Sequence, residues 1–261
     1  MDLGLNGKTA LVLGAAGGLG SAIARTLVRE GARVVLGDID RAALDRSVSA
    51  ITPQGGEAFG LEWDLANLQD INPKIEAIEA HWGPVDILVN NTGGPPPTTA
   101  FGQDPALWNK SFQNMVLSVI AITDRVLPVM RQRKWGRIIT STSSGIVAPI
   151  ANLGISNALR LSLVGWSKTL AREIASDGVT ANIIVPGRIA TDRIKFLDEQ
   201  KAKREGRAPD QVAAESTASI PMGRYGEPQE YANVVAFLAS ECSSYVTGSV
   251  IRVDGGLIPS I

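Results

Sequence analysis

The sequence predicts an α/β protein: a doubly wound parallel sheet of about seven strands with helices on both faces. Two observations carry that expectation. Short, β-rich apolar runs recur along the chain, and stretches with helical spacing lie between them. Strands alternating with amphipathic helices call for a parallel sheet covered on both sides, joined by right-handed crossovers. A third observation concerns organisation. No linker rich in Pro, Gly or Ser divides the 261 residues, a length that suits one large domain spanning 1–261.

The elements follow in order. TALVLG (9–14) is the first apolar run and enters a glycine cluster. SAIARTLVREG (21–31) has Ile23, Leu27 and Val28 on one helical face and Gly31 as a natural stop. ARVVLGD (32–38) is the second run, and another helix is expected from Leu44 onward. EAFGLEWD (57–64), VDILVNN (85–91), GRIITSTS (136–143) and VTANIIVPG (179–187) continue the alternation, and SVIRVDGG (249–256) closes it. Two segments break the rhythm. GGPPPTTAFGQDP (93–105) carries too much proline for a helix. The stretch 192–215 is strongly charged and helical, and it follows a strand end. It reads as a small lid-like insertion at about 190–220.

Composition excludes several function classes. The net charge is −1 and the pI is near 5.9, so bulk charge does not draw the chain to nucleic acid. One cysteine, Cys242, rules out an internal disulfide and fits a reducing, cytoplasmic setting. One histidine, His81, leaves no multi-histidine metal site, and no metal is expected. Lys8 precedes a long uncharged run that has the look of a signal peptide. Its many glycines fit a buried strand and turn better. No other uncharged run reaches membrane-spanning length, so no membrane partner is expected.

The chemistry-bearing residues gather at strand ends. Gly14, Gly18 and Gly20 separate the first strand from the first helix, with Gly17 as an extra glycine. Small residues there let the backbone approach a pyrophosphate, and the helix N-terminus offers unpaired N–H groups. Asp38 ends the second strand, eighteen positions after Gly20. A carboxylate there accepts from the hydroxyls of an adenosine ribose and repels a 2′-phosphate, which favours NAD(H); nearby Arg41 keeps NADP(H) open. Asp64 ends the third strand, close to where an adenine would lie; a capping role for the next helix is the alternative. Asn90–Asn91–Thr92–Gly93 follows the fourth strand, and Pro186, Gly187 and Thr191 follow the sixth, where a nicotinamide would rest.

These motifs together resemble the short-chain dehydrogenase/reductase family, over essentially the whole chain. The matching stretches are GAAGGLG (14–20), Asp38, Asp64, NNTG (90–93), GRIITSTSS (136–144), NIIVPGRIAT (182–191) and VDGG (253–256). Within the family the chain looks most like the 3-oxoacyl-carrier-protein reductase-like group. The resemblance implies a Rossmann-type fold and hydride transfer between a nicotinamide and a carbonyl or alcohol. It adds Leu19, Leu65, Asn91, Gly93 and Ile189 to the cofactor positions already named.

The resemblance also implies a catalytic Ser, a Tyr thirteen positions on, a Lys four further, and an Asn on an earlier helix. Ser143 matches the first. The next two positions hold Ser156 and Arg160, in the stretch GISNALR (154–160). A gap-free match puts Met115 at the Asn position. Asn114 is adjacent, but neighbours on a regular helix point about 100° apart. Ser156 and Arg160 are four residues apart and share a helix face. An aliphatic hydroxyl is a far weaker acid than a phenol, whose pKa is near 10, and Arg stays protonated. Cofactor anchoring by Arg160 is therefore expected to survive, and the family's usual proton transfer is not. Among the tyrosines, Tyr225 is the one to consider as a substitute, with structural packing as the alternative.

Three readings follow. The first is an NAD(H)-dependent oxidoreductase with an altered proton path. The second is a cofactor-binding sensor or assembly partner without catalysis. The third is a non-redox enzyme resembling the halohydrin dehalogenases, which carry Arg at the Lys position but keep the Tyr. The substrate is expected to be a small carbonyl or alcohol. Arg131, Arg133, Lys134 and Arg172 would suit docking of a carrier protein, though exposed helix ends commonly look alike. Family resemblance implies a homotetramer or homodimer, built on 105–133 and 152–176 with Leu117, Ile120, Leu163 and Trp166. The C-terminal LIPSI is a further contact candidate.

Overall fold

A computed structural model describes residues 2–52 and 55–261. The seven apolar runs form seven strands: β1 (Thr9–Leu13), β2 (Arg33–Asp38), β3 (Ala58–Glu62), β4 (Ile87–Asn90), β5 (Gly136–Ser141), β6 (Val179–Pro186) and β7 (Val250–Val253). All pair in parallel, in the order β3-β2-β1-β4-β5-β6-β7. The chain winds outward from β1 to β3 and returns to β4, so the winding direction reverses between β1 and β4. A crevice opens at such a reversal, above the carboxyl ends of the strands.

Both faces of the sheet are covered, as its continuous apolar strands require. Alternate residues of β1 serve opposite sides. Ala10 and Val12 pack with Ile23 and Leu27 of α1 (Gly18–Arg29) and with Tyr231 and Val235 of α9 (Pro228–Ala239). Leu11 and Leu13 pack with Ile75 and Ile78 of α3 (Ile71–Trp82), and with residues of α5 (Ser118–Gln132) and α6 (Gly154–Ile174). Each of these aliphatic side chains is fully buried, worth about 1.5–3 kcal/mol by transfer from water. The uncharged N-terminal run is thus a central strand and its turn. Helix α2 (Arg41–Ile51) starts three residues before Leu44, where the Asp40 carboxylate accepts from the Ala43 N–H.

The proline-rich segment stays non-helical until α4 (Pro105–Phe112), which Asp104 caps. A π-helical turn, Gln113–Leu117, joins α4 to α5. The continuous stretch Pro105–Gln132 is long and apolar enough to cross a membrane by length and composition alone, and part of it is buried in the molecule. Leu163, expected on an association face, lies instead in a core cluster with Met115, Val119, Ile155 and Leu159. Exposed apolar residues on these helices are Phe112, Leu117 and Leu161. At the C-terminus, Ile258 packs on Ile183 and Val185 of its own chain.

The charged insertion is a helix pair, α7 (Asp192–Glu205) and α8 (Pro209–Ala218). Its two ends are stitched together. The Gly226 N–H donates to the Arg188 carbonyl at 2.9 Å, and the Ala190 N–H donates to the Gly226 carbonyl at 2.8 Å. Arg188 and Tyr225, one from each end, both bind the buried Asp198 carboxylate of α7, at 2.8 and 2.5 Å.

Candidate active site

The crevice at the β1/β4 reversal is a cavity of about 1150 Å³. Every site residue expected from the sequence lines it: Gly14, Gly18, Leu19 and Gly20 below α1; Asp38, Asp64 and Leu65 beyond β2 and β3; Asn91 and Gly93 after β4; Ser143 after β5; Ser156 and Arg160 on α6; Pro186, Gly187, Ile189 and Thr191 after β6. They come from seven separate chain segments, so their convergence is a product of the fold.

The glycine turn is tightest at Gly20. A Cβ on Gly20 would stand 2.1 Å from the Gly14 carbonyl oxygen, so no other residue fits without moving the backbone. Gly17 precedes α1 and supplies no side-chain cap. The N–H groups of the first turn are therefore open to an anion in the cavity. The Asn91 amide donates to the Leu13 and Gly14 carbonyls, both at 3.2 Å, and holds the turn against β4. The Asp38 carboxylate accepts from the Ala16 and Asp40 N–H groups, at 3.0 and 3.2 Å. Those bonds fix a negative charge at the mouth. Asp64 accepts from the Ala66 N–H at 2.9 Å, so it caps a turn rather than helix α3. A Cβ on Gly93 would meet nothing within 4 Å. This bare-backbone groove, with open donors at one end and a fixed carboxylate beyond, fits a dinucleotide.

At the other end, the Ser143 hydroxyl accepts from the Gly145 N–H at 3.1 Å, which orients its oxygen. Ser156 is buried and lines the cavity, and among the described residues its hydroxyl has no hydrogen-bond partner. Arg160 does more than its sequence position implied. Its guanidinium is buried and donates to the carbonyls of Ser141 (3.4 Å), Thr92 (3.1 Å) and Gly93 (3.2 Å). It thereby ties the ends of β4 and β5. Burial pushes its pKa down to about 10; the nearby Tyr231 side chain opposes that shift, and the Arg193 charge adds a smaller push downward.

Three points that the sequence left open are decided by packing. Tyr225 is no substitute acid: its hydroxyl donates to Asp198, and burial and that carboxylate raise its pKa. Tyr231 reaches Ser141 at 2.8 Å but is fully buried, and burial raises its pKa. The choice between Met115 and Asn114 assumed a regular helix. Both lie in the π-helical turn, and both line the cavity, Met115 from the core and Asn114 half-buried. The basic docking surface is also largely committed. Arg131 and Lys134 pair with Asp177 at 2.6 and 2.5 Å, and Arg133 pairs with Asp86 at 2.8 Å. The residue that sequence reasoning missed is Arg193, one position into α7 beyond Asp192. In the sequence it is one charge among many in the lid-like stretch; in the fold its guanidinium reaches the Pro95 carbonyl at 3.0 Å.

A switch-point crevice with a glycine turn and a fixed carboxylate defines a dinucleotide-binding oxidoreductase of the α/β class. A family profile described as "Enoyl-(Acyl carrier protein) reductase" matches residues 14–258. The 3-oxoacyl-[acyl-carrier-protein] reductase FabG of Escherichia coli (strain K12) is 38% identical over 259 residues, covering 98% of this chain and 99% of its own. Nodulation protein G of Azospirillum brasilense is 35% identical over 253 residues, covering 96% and 98%. Among solved structures, L-sorbose reductase from Gluconobacter frateurii, complexed with NADPH and L-sorbose, superposes with a TM-score of 0.94 at 30% identity, with full coverage of both chains. The chain belongs to the short-chain dehydrogenase/reductase family, as an oxidoreductase of its 3-oxoacyl-carrier-protein reductase-like group that uses a nicotinamide cofactor.

Proposed function

We propose that the chain transfers a hydride between NAD(H) and a small carbonyl or alcohol substrate, along a proton path unlike the family's usual one. The observation that carries this reading is the convergence of all the expected residues on one cleft. The first-turn N–H groups at Gly18, Leu19 and Gly20 hold the diphosphate. Asp38 binds the adenosine ribose and opposes a 2′-phosphate, so NAD(H) is preferred, although similar proteins were solved with NADPH. Asp64 and Leu65 border the adenine. Asn91, Gly93, Pro186, Gly187, Ile189 and Thr191 border the nicotinamide end, and the bound nicotinamide supplies or takes the hydride.

Ser143 donates a hydrogen bond to the substrate oxygen, and Arg160 keeps positive charge beside it. Ser156 is too weak an acid to replace a phenol and serves as a link to water. The reading includes one domain with a lid at about 190–220, a cytoplasmic location, and a homotetramer or homodimer. Exposed Phe112, Leu117 and Leu161 support an association face on α4, the π-helical turn and α6.

Titration with NADH and NADPH, read by energy transfer from tryptophan, tests the reading; Trp63 lines the cleft. Micromolar NADH with weaker NADPH is expected. Failure of both to bind overturns it. A Ser156→Tyr, Arg160→Lys variant restores the family's acid and is expected to raise kcat on a carbonyl panel by about 10²-fold or more. Binding without hydride transfer in either protein would favour the sensor or assembly reading.

A further inference from the structure

Among the described residues, two of the guanidiniums that line the cavity have no protein carboxylate to offset them. Arg188 is spoken for by Asp198, and Lys201 by Glu215 at 3.2 Å. Arg160 and Arg193 are different: among the described residues, neither has a carboxylate within ion-pair distance, and each donates only to backbone carbonyls. Burying a guanidinium without a counter-charge is costly, and bringing a second one close adds to that cost.

The two converge on one point. Gly94 has no side chain, and the place its Cβ would occupy is 3.1 Å from Arg193 Nη2 and 3.8 Å from Arg160 Nη2. At most about 7 Å therefore separates those nitrogens, which places the two guanidiniums within reach of one carboxylate. Arg160 has spare donors: three carbonyl contacts leave its Nε–H and one Nη1–H without a protein partner. Arg193 is steadied by the Pro95 carbonyl and by the Phe196 ring, 5.6 Å from its Cζ.

We infer that the substrate is an oxo acid, or the matching hydroxy acid, whose carboxylate bridges Arg160 and Arg193 over Gly94. This rests on the carbonyl-reducing reading above. In that pose the acid group supplies the missing negative charge. It also anchors the molecule beside Ser143 and Ser156, which line the same cavity.

Calorimetric titration tests this with benzoylformate and 2-oxobutyrate against their methyl esters, in the free and the NADH-saturated protein. At least one acid is expected to bind tenfold or more tightly than its ester. Arg193→Gln is expected to shrink that preference below threefold while NADH affinity changes by less than threefold. Gly94→Ala, which fills the gap, should shrink it likewise. Acids binding no better than esters in the unaltered protein would overturn the inference, as would a preference that survives Arg193→Gln. A tenfold loss of NADH affinity in that variant would assign the guanidinium to the cofactor's diphosphate and overturn it too. A preference for acids without hydride transfer would sink the proposed reaction and leave the anion site standing.

Discussion

Replacing Arg160 with Met should make the free protein more stable. Burial lowers the guanidinium's pKa from its ordinary value to about 10. By the ordinary conversion this is about 3 kcal/mol by which the fold disfavours the charged form. Because the folded-state pKa lies below the unfolded one, that penalty is complete at every pH below about 10. It fades only as pH rises from there toward the ordinary guanidinium value, where stability would be regained. Against it stand the bonds to Ser141, Thr92 and Gly93, at 3.1–3.4 Å. Neutral hydrogen bonds contribute about 0.5–1.5 kcal/mol each, and water in the cleft can replace those to Thr92 and Gly93. The net expectation is a gain of about 1–2 kcal/mol. For a protein of this size that raises Tm by roughly 2–6 °C. Differential scanning calorimetry at pH 7 without ligands reads it directly. A variant melting below the parent would show that the strand ties outweigh the buried charge, and the reasoning would fail.

Three further outcomes are expected. Asp38→Ser removes a charge that would face a 2′-phosphate; at an effective dielectric between water and protein the repulsion is about 1–3 kcal/mol, so NADPH affinity should rise about five- to hundredfold relative to NADH in the fluorescence titration. Gly20→Ala forces a Cβ against the Gly14 carbonyl, and overpacking of this kind costs about 1–3 kcal/mol; NADH affinity should drop more than about tenfold, with a lower Tm. In Ser156→Tyr, Arg160→Lys, the pH profile of kcat should acquire a titration absent from the parent, because a phenol now supplies the proton.

Much of this was legible in the chain itself. Seven apolar runs became seven strands because burial on both faces leaves no room for polar alternation. The positions that line the cleft were legible because strand ends and glycine spacing are local features. Features set by distant packing were not. That Arg160 ties two strand ends depends on where β4 and β5 stop relative to α6. That Arg193 belongs to the cleft depends on how the insertion folds back over Pro95. The π-helical turn at Gln113–Leu117 adds one residue to a helix whose sequence reads as regular, and it brings both Asn114 and Met115 to the cavity. Leu163 read as surface or core with equal ease, since a helix near an association face is apolar on more than one side.

The stitched ends of the insertion have an evolutionary consequence. Arg188, Ala190 and Gly226 close the base of residues 191–224 with their own backbone bonds, so the module enters and leaves the sheet at a single gate. Loop-closure entropy grows slowly with length, about 0.6 kcal/mol per doubling. A longer, shorter or differently charged cassette can therefore be spliced onto the same gate with little penalty to the sheet. The host asks only for one acceptor, where Asp198 now stands, to receive Arg188 and Tyr225. Substrate range can diverge by exchange of that cassette while the dinucleotide groove is inherited intact.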